Sequence, residues 1–418
     1  MSNTIKTLTA GDITRKALSI LHNNLCFSKT INREYDDRFA RSGAKNGGTL
    51  QIREPNQFTV RSGAVMDTQD VTETTKELVI ATQRGVDINF SSVELTLSLD
   101  DFADRILRPA MSRLAAEVDK INIAAMYPYV YKYVNPTPGT VPSPSAVLSG
   151  RAELQQGLAP LTDRVLMMGA LEANGLLLSA QTFYNPASEI SRQYSQGKIG
   201  NIYGFEFYES EMVPTHTAGT RTDATPTCYT TTSATTTTTA GIFNGRATVR
   251  VSGGSTGTTL KAGDVFTIVG IRAVNPETKT TCAWLQQFSI TADTNVTTAA
   301  TLWPVSPTPY ISGAKQNMVA ITASVATTVV CTTGVRVTGS ASEVGVQSLA
   351  YHKDAFTMVS ADLEMPQGVD FAYREVFDGV SMRLVRQYDI INDKFPCRID
   401  VLIGQLCTRP EWAVRLAT

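Results

Sequence analysis

Thr230-Thr231-Thr232-Ser233-Ala234-Thr235-Thr236-Thr237-Thr238-Thr239 lies inside a longer stretch, Thr220 to Gly345, that is crowded with threonine and poor in charge. Within it, Ala247 to Val251, Val265 to Val269, Gln287 to Ile290, Ala320 to Ala323 and Thr328 to Cys331 are β-branched or aromatic runs separated by Gly, Asn, Asp and Pro. Such runs predict short strands joined by turns, and several at this spacing predict a small barrel or sandwich. The decathreonine-like run itself reads as a solvated loop. On either side the composition changes to helical periodicity and ordinary charge usage. The stretch is therefore a β module inserted into a host whose two flanks complete one another.

The host begins with a short amphipathic helix. Ile13, Ala17, Ile20, Leu21 and Leu25 recur at three- and four-residue spacing, with Thr9 and Asp12 placed to cap the start. Its apolar stripe serves either the core of the same chain or a neighbour's surface. From Gly47 to Phe90 alternation predicts two pairs of strands: Thr49–Arg53 with Phe58–Arg61, and Leu78–Ala81 with Val86–Phe90. The polar segment Ser62 to Lys76 between them lacks the apolar residues for a core of its own. A lone projecting hairpin is only marginally stable in water, so it is expected to rest on another chain.

Next, Phe102, Ile106, Ala110, Leu114, Val118, Ile121 and Ala125 mark one face of the longest helix, with Arg105, Arg113, Glu117 and Lys120 opposite. Pro109 kinks this helix or restarts it from its first turn. Asp100, Asp101 and Asp104 suit capping of its start. The proline-rich stretch Pro136 to Pro144 ends the unit. Gly150–Gln156, Val165–Met168 and Glu172–Ser179 predict a compact α/β region around a buried strand at Val165–Met168. A glycine-rich loop then leads into Phe205–Ser210, and Val380–Val385 and Arg398–Gly404 are the closing strands.

The chain's 418 residues carry 37 Lys and Arg against 38 Asp and Glu, a formal charge of -1. That balance excludes a protein whose main task is gripping phosphate backbones. No window of uninterrupted apolar residues is long enough for a helical bilayer span. Six cysteines without a C-x-x-C pair read as reduced thiols; Cys397 and Cys407 either pair across adjacent strands or sit as two core thiols. His22, His216 and His352 lie far apart and form no metal-binding spacing. Ser252 to Thr259 lacks the Gly-Lys-Ser/Thr of a phosphate loop and reads as a hairpin turn. No catalytic, cofactor or metal residues are assigned, and an enzyme is not expected.

Leu97-Ser98-Leu99-Asp100-Asp101-Phe102 followed by Ile106-Leu107-Arg108-Pro109-Ala110-Met111-Ser112-Arg113-Leu114, then Gly204-Phe205-Glu206-Phe207-Tyr208-Glu209-Ser210 just before the insertion, carry a family resemblance. His352-Lys353-Asp354-Ala355-Phe356, Asp362-Leu363-Glu364-Met365-Pro366 and Arg398-Ile399-Asp400-Val401-Leu402-Ile403-Gly404 complete it. Together they resemble the P22-type coat proteins of tailed bacteriophages. The resemblance implies an α+β, HK97-like capsid fold with an inserted β-barrel-like domain. It implies an N-terminal arm over 1–46, an extended loop over 47–90, a peripheral domain with a spine helix over 91–144 and 379–418, an axial domain over 145–219 and 346–378, and the inserted domain over 220–345.

The function so implied is that of a major capsid protein. It would be made in the bacterial cytoplasm and self-assemble as hexamers and pentamers into the icosahedral shell of the virion. That shell would enclose double-stranded DNA without reading it, with a separate scaffolding protein and a portal protein as partners and no membrane. A tail or decoration component is the alternative. Arg53, Glu54 and Arg61 are the candidates for intersubunit ion pairs, with solvated strand-face charges as the other reading.

Overall fold

The computed structural model describes residues 10–35, 49–66, 68–70, 73–91, 106–134, 141–180, 201–220, 227–228, 241–242, 245–251, 257–297, 301–319, 327–330 and 344–417. The threonine run 230–239, the strand expected at 320–323 and the acidic cluster at 100, 101 and 104 lie outside them.

The residues that alternate from Thr75 to Ser91 form one long strand rather than two hairpin arms. Its first part pairs antiparallel with Thr49–Arg53, matching Leu50 to Leu78, and its remainder pairs with Lys394–Cys407, matching Val86 to Ile399. A register shift separates Ile403 from Gly404 in this ladder. At Gly404 an added Cβ would stand 2.7 Å from Leu78 Cδ2 and from the Val79 carbonyl, so only glycine lets the two backbones approach here. The expected strand at Phe58–Arg61 is absent: these residues are extended chain without a ladder. Its expected partner, Thr49–Arg53, is instead hydrogen-bonded to Thr75–Val79.

The same sheet continues in the order Asn32–Tyr35, Phe356–Ala361, Lys394–Cys407, Val380–Arg386, Phe371–Phe377. Phe356–Ala361 is buried along its whole length, the pattern of a central strand. The N-terminal helix Ala10–Asn24 packs Ala17, Leu18 and Leu21 into the core of its own chain, next to Phe371–Phe377 and Val380–Arg386.

Helix Arg108–Met126 carries Pro109 in its first turn, where the missing amide proton has no helical partner to lose. Its buried face holds Met111, Leu114, Ala115, Val118 and Ile123, continued by Leu107 just before its start, together with the polar Asp119 and Asn122. That stripe is rotated from the one read in the sequence: Ala110 and Ile121 are half-buried and Ala125 is exposed.

A second sheet has the order Tyr133–Val134, Ala413–Ala417, Val344–His352, Arg164–Met168, Phe205–Glu209, Asn201–Ile202, with Thr215–Thr217 also on Val344–His352. Arg164–Met168 is buried throughout, and helix Pro144–Gln156 starts from Ser143, whose hydroxyl accepts from the Ala146 amide at 3.3 Å. Val147, Leu154, Leu166, Met168, Leu176, Phe205 and Ala350 make the core between sheet and helices. Of the stretch 346–378 expected in one domain with 145–219, Val344–His352 pairs with Arg164–Met168, whereas Phe356–Ala361 and Phe371–Phe377 belong to the first sheet. A closing strand the sequence reading lacks, Ala413–Ala417, completes the second sheet.

The inserted block forms an eight-stranded antiparallel sheet and a two-stranded ribbon, Thr258–Leu260 with Thr294–Val296. Its core stacks Phe266 on Phe288 with ring centroids 5.4 Å apart and sets Trp303 edge-on to Phe266. Thr248–Val251 pairs with Thr301–Ser306 and Thr258–Leu260 with Thr294–Val296, while residues 252–256, where a hairpin turn is expected, lie outside the described residues. The contacts divide the chain into two compact units. One comprises 1–53, 75–125 and 356–406, and the other 54–74, 126–355 and 407–418.

Candidate functional site

Glu54 to Thr74 emerges from the paired strands Thr49–Arg53 and Thr75–Ser91. The Glu54 amide donates to the Thr74 carbonyl at 2.9 Å, and the Thr74 hydroxyl donates to Glu54 Oε2 at 3.0 Å. Lys315 of the inserted block closes this base, donating to Thr74 Oγ1 at 2.7 Å and standing 3.6 Å from Glu54 Oε2. Farther out, Gln69 bridges the two sides of the loop. Its Oε1 accepts from the Thr59 amide at 2.8 Å and its Nε2 donates to the Thr59 carbonyl at 2.6 Å. One side chain thus supplies the two bonds that a ladder pair would exchange. At the tip Gly63 takes a positive φ of 97°, and Arg61 Nη1 donates to the Gly63 and Val65 carbonyls.

On this clamped loop Phe58, Val60, Val65 and Met66 are 58%, 98%, 84% and 77% exposed. Scattered exposed apolar residues are ordinary, but four on one constrained loop make a patch suited to another surface.

Of the three ion-pair candidates, Glu54 is engaged within its own chain by Thr74 and Lys315. Arg61 is engaged by the loop's own carbonyls. Arg53 is exposed at the end of its strand. Phe58 and Val60 read in the sequence as strand residues rather than as a contact surface, and none of Val65, Met66 and Lys315 stands out there. The signal available there was the run Val65-Met66 amid polar neighbours, too short to separate from a strand fragment.

The histidines are placed apart. His22 Nε2 lies 2.7 Å from Asp378 Oδ2, His216 Nε2 lies 2.8 Å from Asp264 Oδ1, and His352 is buried against Trp412 with ring centroids 5.2 Å apart. Among the described residues no group of three or more His, Cys, Asp or Glu is arranged to hold a metal ion, and no helix is long and apolar enough to cross a membrane. Cys397 and Cys407 lie on one strand as two buried thiols outside any disulfide, which removes pairing across adjacent strands. Burial pushes the Cys397 thiol up to about 11, so it is held as an unreactive thiol.

An α+β chain that holds four exposed apolar side chains outward on a clamped loop presents a surface of the kind that structural proteins use to contact other protein surfaces. The chain belongs to the P22 coat protein family, described as "P22 coat protein - gene protein 5", whose model matches residues 13–417. That membership makes it a phage major capsid protein of the tailed-phage type, carried on the α+β fold described above. Among solved structures, the chain is similar to one titled "Mycobacterium phage Che8", with 14% identity over 94% of this chain and 90% of that one and a TM-score of 0.45. A second is titled "Capsid structure of the Cyanophage P-SCSP1u", with 10% identity, 89% and 83% coverage and a TM-score of 0.44. A third is titled "Asymmetric unit of bacteriophage PhiM1 mature capsid", with 11% identity, 94% and 86% coverage and a TM-score of 0.44. No curated protein matches the chain at a significant level.

Proposed function

We propose that copies of this chain assemble, as hexamers and pentamers, into an icosahedral shell enclosing double-stranded DNA, and that the loop 54–74 of each copy lies on a neighbour. The observation that carries this reading is the exposure of Phe58, Val60, Val65 and Met66 on a loop whose base and middle are both clamped. Covering one such side chain is worth about 1.5–3 kcal/mol. Because the loop is constrained before contact, little of that is lost to ordering it.

A near-neutral chain suits a wall that contains DNA without gripping it, since strong phosphate binding requires clustered Lys and Arg. In this reading helix Ala10–Asn24 belongs to the N-terminal arm, helix Arg108–Met126 is the spine, and the sheet around Arg164–Met168 lies in the axial domain. A separate scaffolding protein and a portal protein are the assembly partners, and the host cytoplasm is where the shell is built. Arg53, exposed at the end of its strand, remains an intersubunit ion-pair candidate, with Glu54 and Arg61 shaping the loop itself.

The test keeps the Glu54–Thr74 base and replaces residues 55–73 with a short Gly-Ser link. The variant is expected to give a folded monomer by circular dichroism and sedimentation, and no shells by electron microscopy. Shells of normal form and yield from it would overturn the role given to the loop.

A further inference from the structure

Arg415 sits in the closing strand Ala413–Ala417 with 0% of its surface exposed. Its Nη1 donates to the Gly263 carbonyl at 2.7 Å and its Nη2 to Ser289 Oγ at 3.1 Å, both acceptors belonging to the inserted block. Ser289 Oγ in turn donates to the Pro128 carbonyl of the host at 2.6 Å. The guanidinium also lies 6.0 Å from the centroid of the Tyr127 ring and 5.8 Å from that of Tyr133. Host and block are joined around it by further hydrogen bonds, among them Gln287 Nε2 to the Tyr133 carbonyl at 3.1 Å and Ser306 Oγ to the Tyr129 carbonyl at 2.7 Å. The Tyr133 amide donates to Gln287 Oε1 at 2.8 Å, and Asp264 takes up His216 Nε2 at 2.8 Å and the Gly219 amide at 3.2 Å.

Among the described residues no carboxylate oxygen is hydrogen-bonded to Arg415 and its Nε has no hydrogen-bond partner. A buried cation satisfied this incompletely contributes little net stability, because its desolvation offsets what its bonds return. Its fork nevertheless fixes two acceptors at set angles, which an apolar side chain of similar volume cannot do.

We propose that Arg415 is a positioning residue: it fixes the orientation of the inserted β block on the host sheet while contributing little to the stability of either. The proposal concerns the single chain and stands or falls separately from the shell reading. The test uses the full chain with Arg415→Met, of similar volume, and Arg415→Lys, which keeps charge without the fork. Amide hydrogen exchange is followed at two junction amides, Tyr133 and Gly219. Phe266 and Phe288 in the block and Met167 and Leu349 in the host sheet serve as internal controls.

Both variants are expected to exchange at least about tenfold faster at the two junction amides, a readout in which each 1.4 kcal/mol is a factor of ten. The control amides and the thermal midpoint should stay as in the parent. Ser289→Ala, which removes one acceptor of the fork and the bond to Pro128, should reproduce the pattern without touching Arg415. Junction amides that do not move would overturn the proposal. So would control amides that accelerate along with them, since that would mark Arg415 as a general stabiliser, or Arg415→Lys exchanging at the parent's rate, since charge alone would then suffice.

Discussion

Asp119 shows how one buried side chain ties two parts of the fold together. Its Oδ2 accepts from the amides of Cys26 at 2.7 Å and Phe27 at 3.2 Å, and its Oδ1 accepts from the Ser28 amide at 2.9 Å and hydroxyl at 2.6 Å. The short helix Phe27–Thr30 has no side-chain cap of its own, so the long helix supplies it from outside. Asp119→Ala leaves these donors without a partner in a buried place, and should lower unfolding stability by about 3 kcal/mol in urea titrations. Burial raises the Asp119 carboxyl above its ordinary 3.8, although the bonds from Ser28, Cys26 and Phe27 pull it back in part. Its contribution is then complete below that ordinary value and declines as pH rises through the raised one. The parent should gain stability relative to Asp119→Asn on acidification through that window.

Lys132 gives a second pH signature at the other end of the scale. Burial lowers its ammonium from 10.5 to about 8, with Glu153 and Glu411 opposing the shift. Between those values the unfolded chain binds the more protons, so stability rises with pH across the window. The unfolding free energy of the parent from denaturant titrations should climb there by on the order of a few kcal/mol relative to Lys132→Met, which has no proton to lose. A parallel course for the two proteins would show that Lys132 is not held down in the fold.

At the scale of elements, the loop 54–74 is shaped by side chains where strands would use backbone. Gln69→Ala should open it, raising the rate of proteolytic nicking within the loop while leaving global stability within about 0.5 kcal/mol. Unchanged cleavage would mean that the Thr59–Gln69 bridge does not hold the loop closed. The same loop marks where sequence pattern stops being informative. Phe58, Val60 and their neighbours alternate as a strand does, yet alternation gives a propensity and names no partner. The available edge is taken by Thr75–Val79, whose Leu78 meets Leu50.

The long helix was legible as a helix because its apolar spacing runs for many turns, although its expected start at 100–105 lies outside the described residues. Its phase was not. Asp119 and Asn122 lie on the buried face for their hydrogen bonds, and a stripe drawn through apolar residues alone turns away from them. Arg415 hid the closing strand in the same way, by placing a cation at the middle of a short buried run. Polar residues that are buried because they are bonded are invisible to hydrophobic periodicity.

For the whole molecule, the β character of the threonine-rich stretch was the most legible feature, because composition averages over many residues and survives local errors of register. The partition of the flanks was less so, since strands far apart in sequence, such as Asn32–Tyr35 and Phe356–Ala361, join one sheet through long-range pairing that no local window contains. What a coat protein does with such a fold depends on small contacts repeated in every copy. A closed shell holds each subunit by several neighbours at once, so a modest weakening of one repeated contact is felt throughout the assembly. Val60, Val65 and Met66 are exposed in the single chain, and replacing all three by serine removes little that the monomer uses. The triple variant should therefore melt as the parent does. The concentration needed for shell formation, followed by light scattering, should rise by about tenfold or more for each 1.4 kcal/mol of burial lost per contact. If the variant assembles at the parent's concentration, these side chains are not covered in the shell, and the loop's contribution to assembly must come from its backbone and charged residues instead.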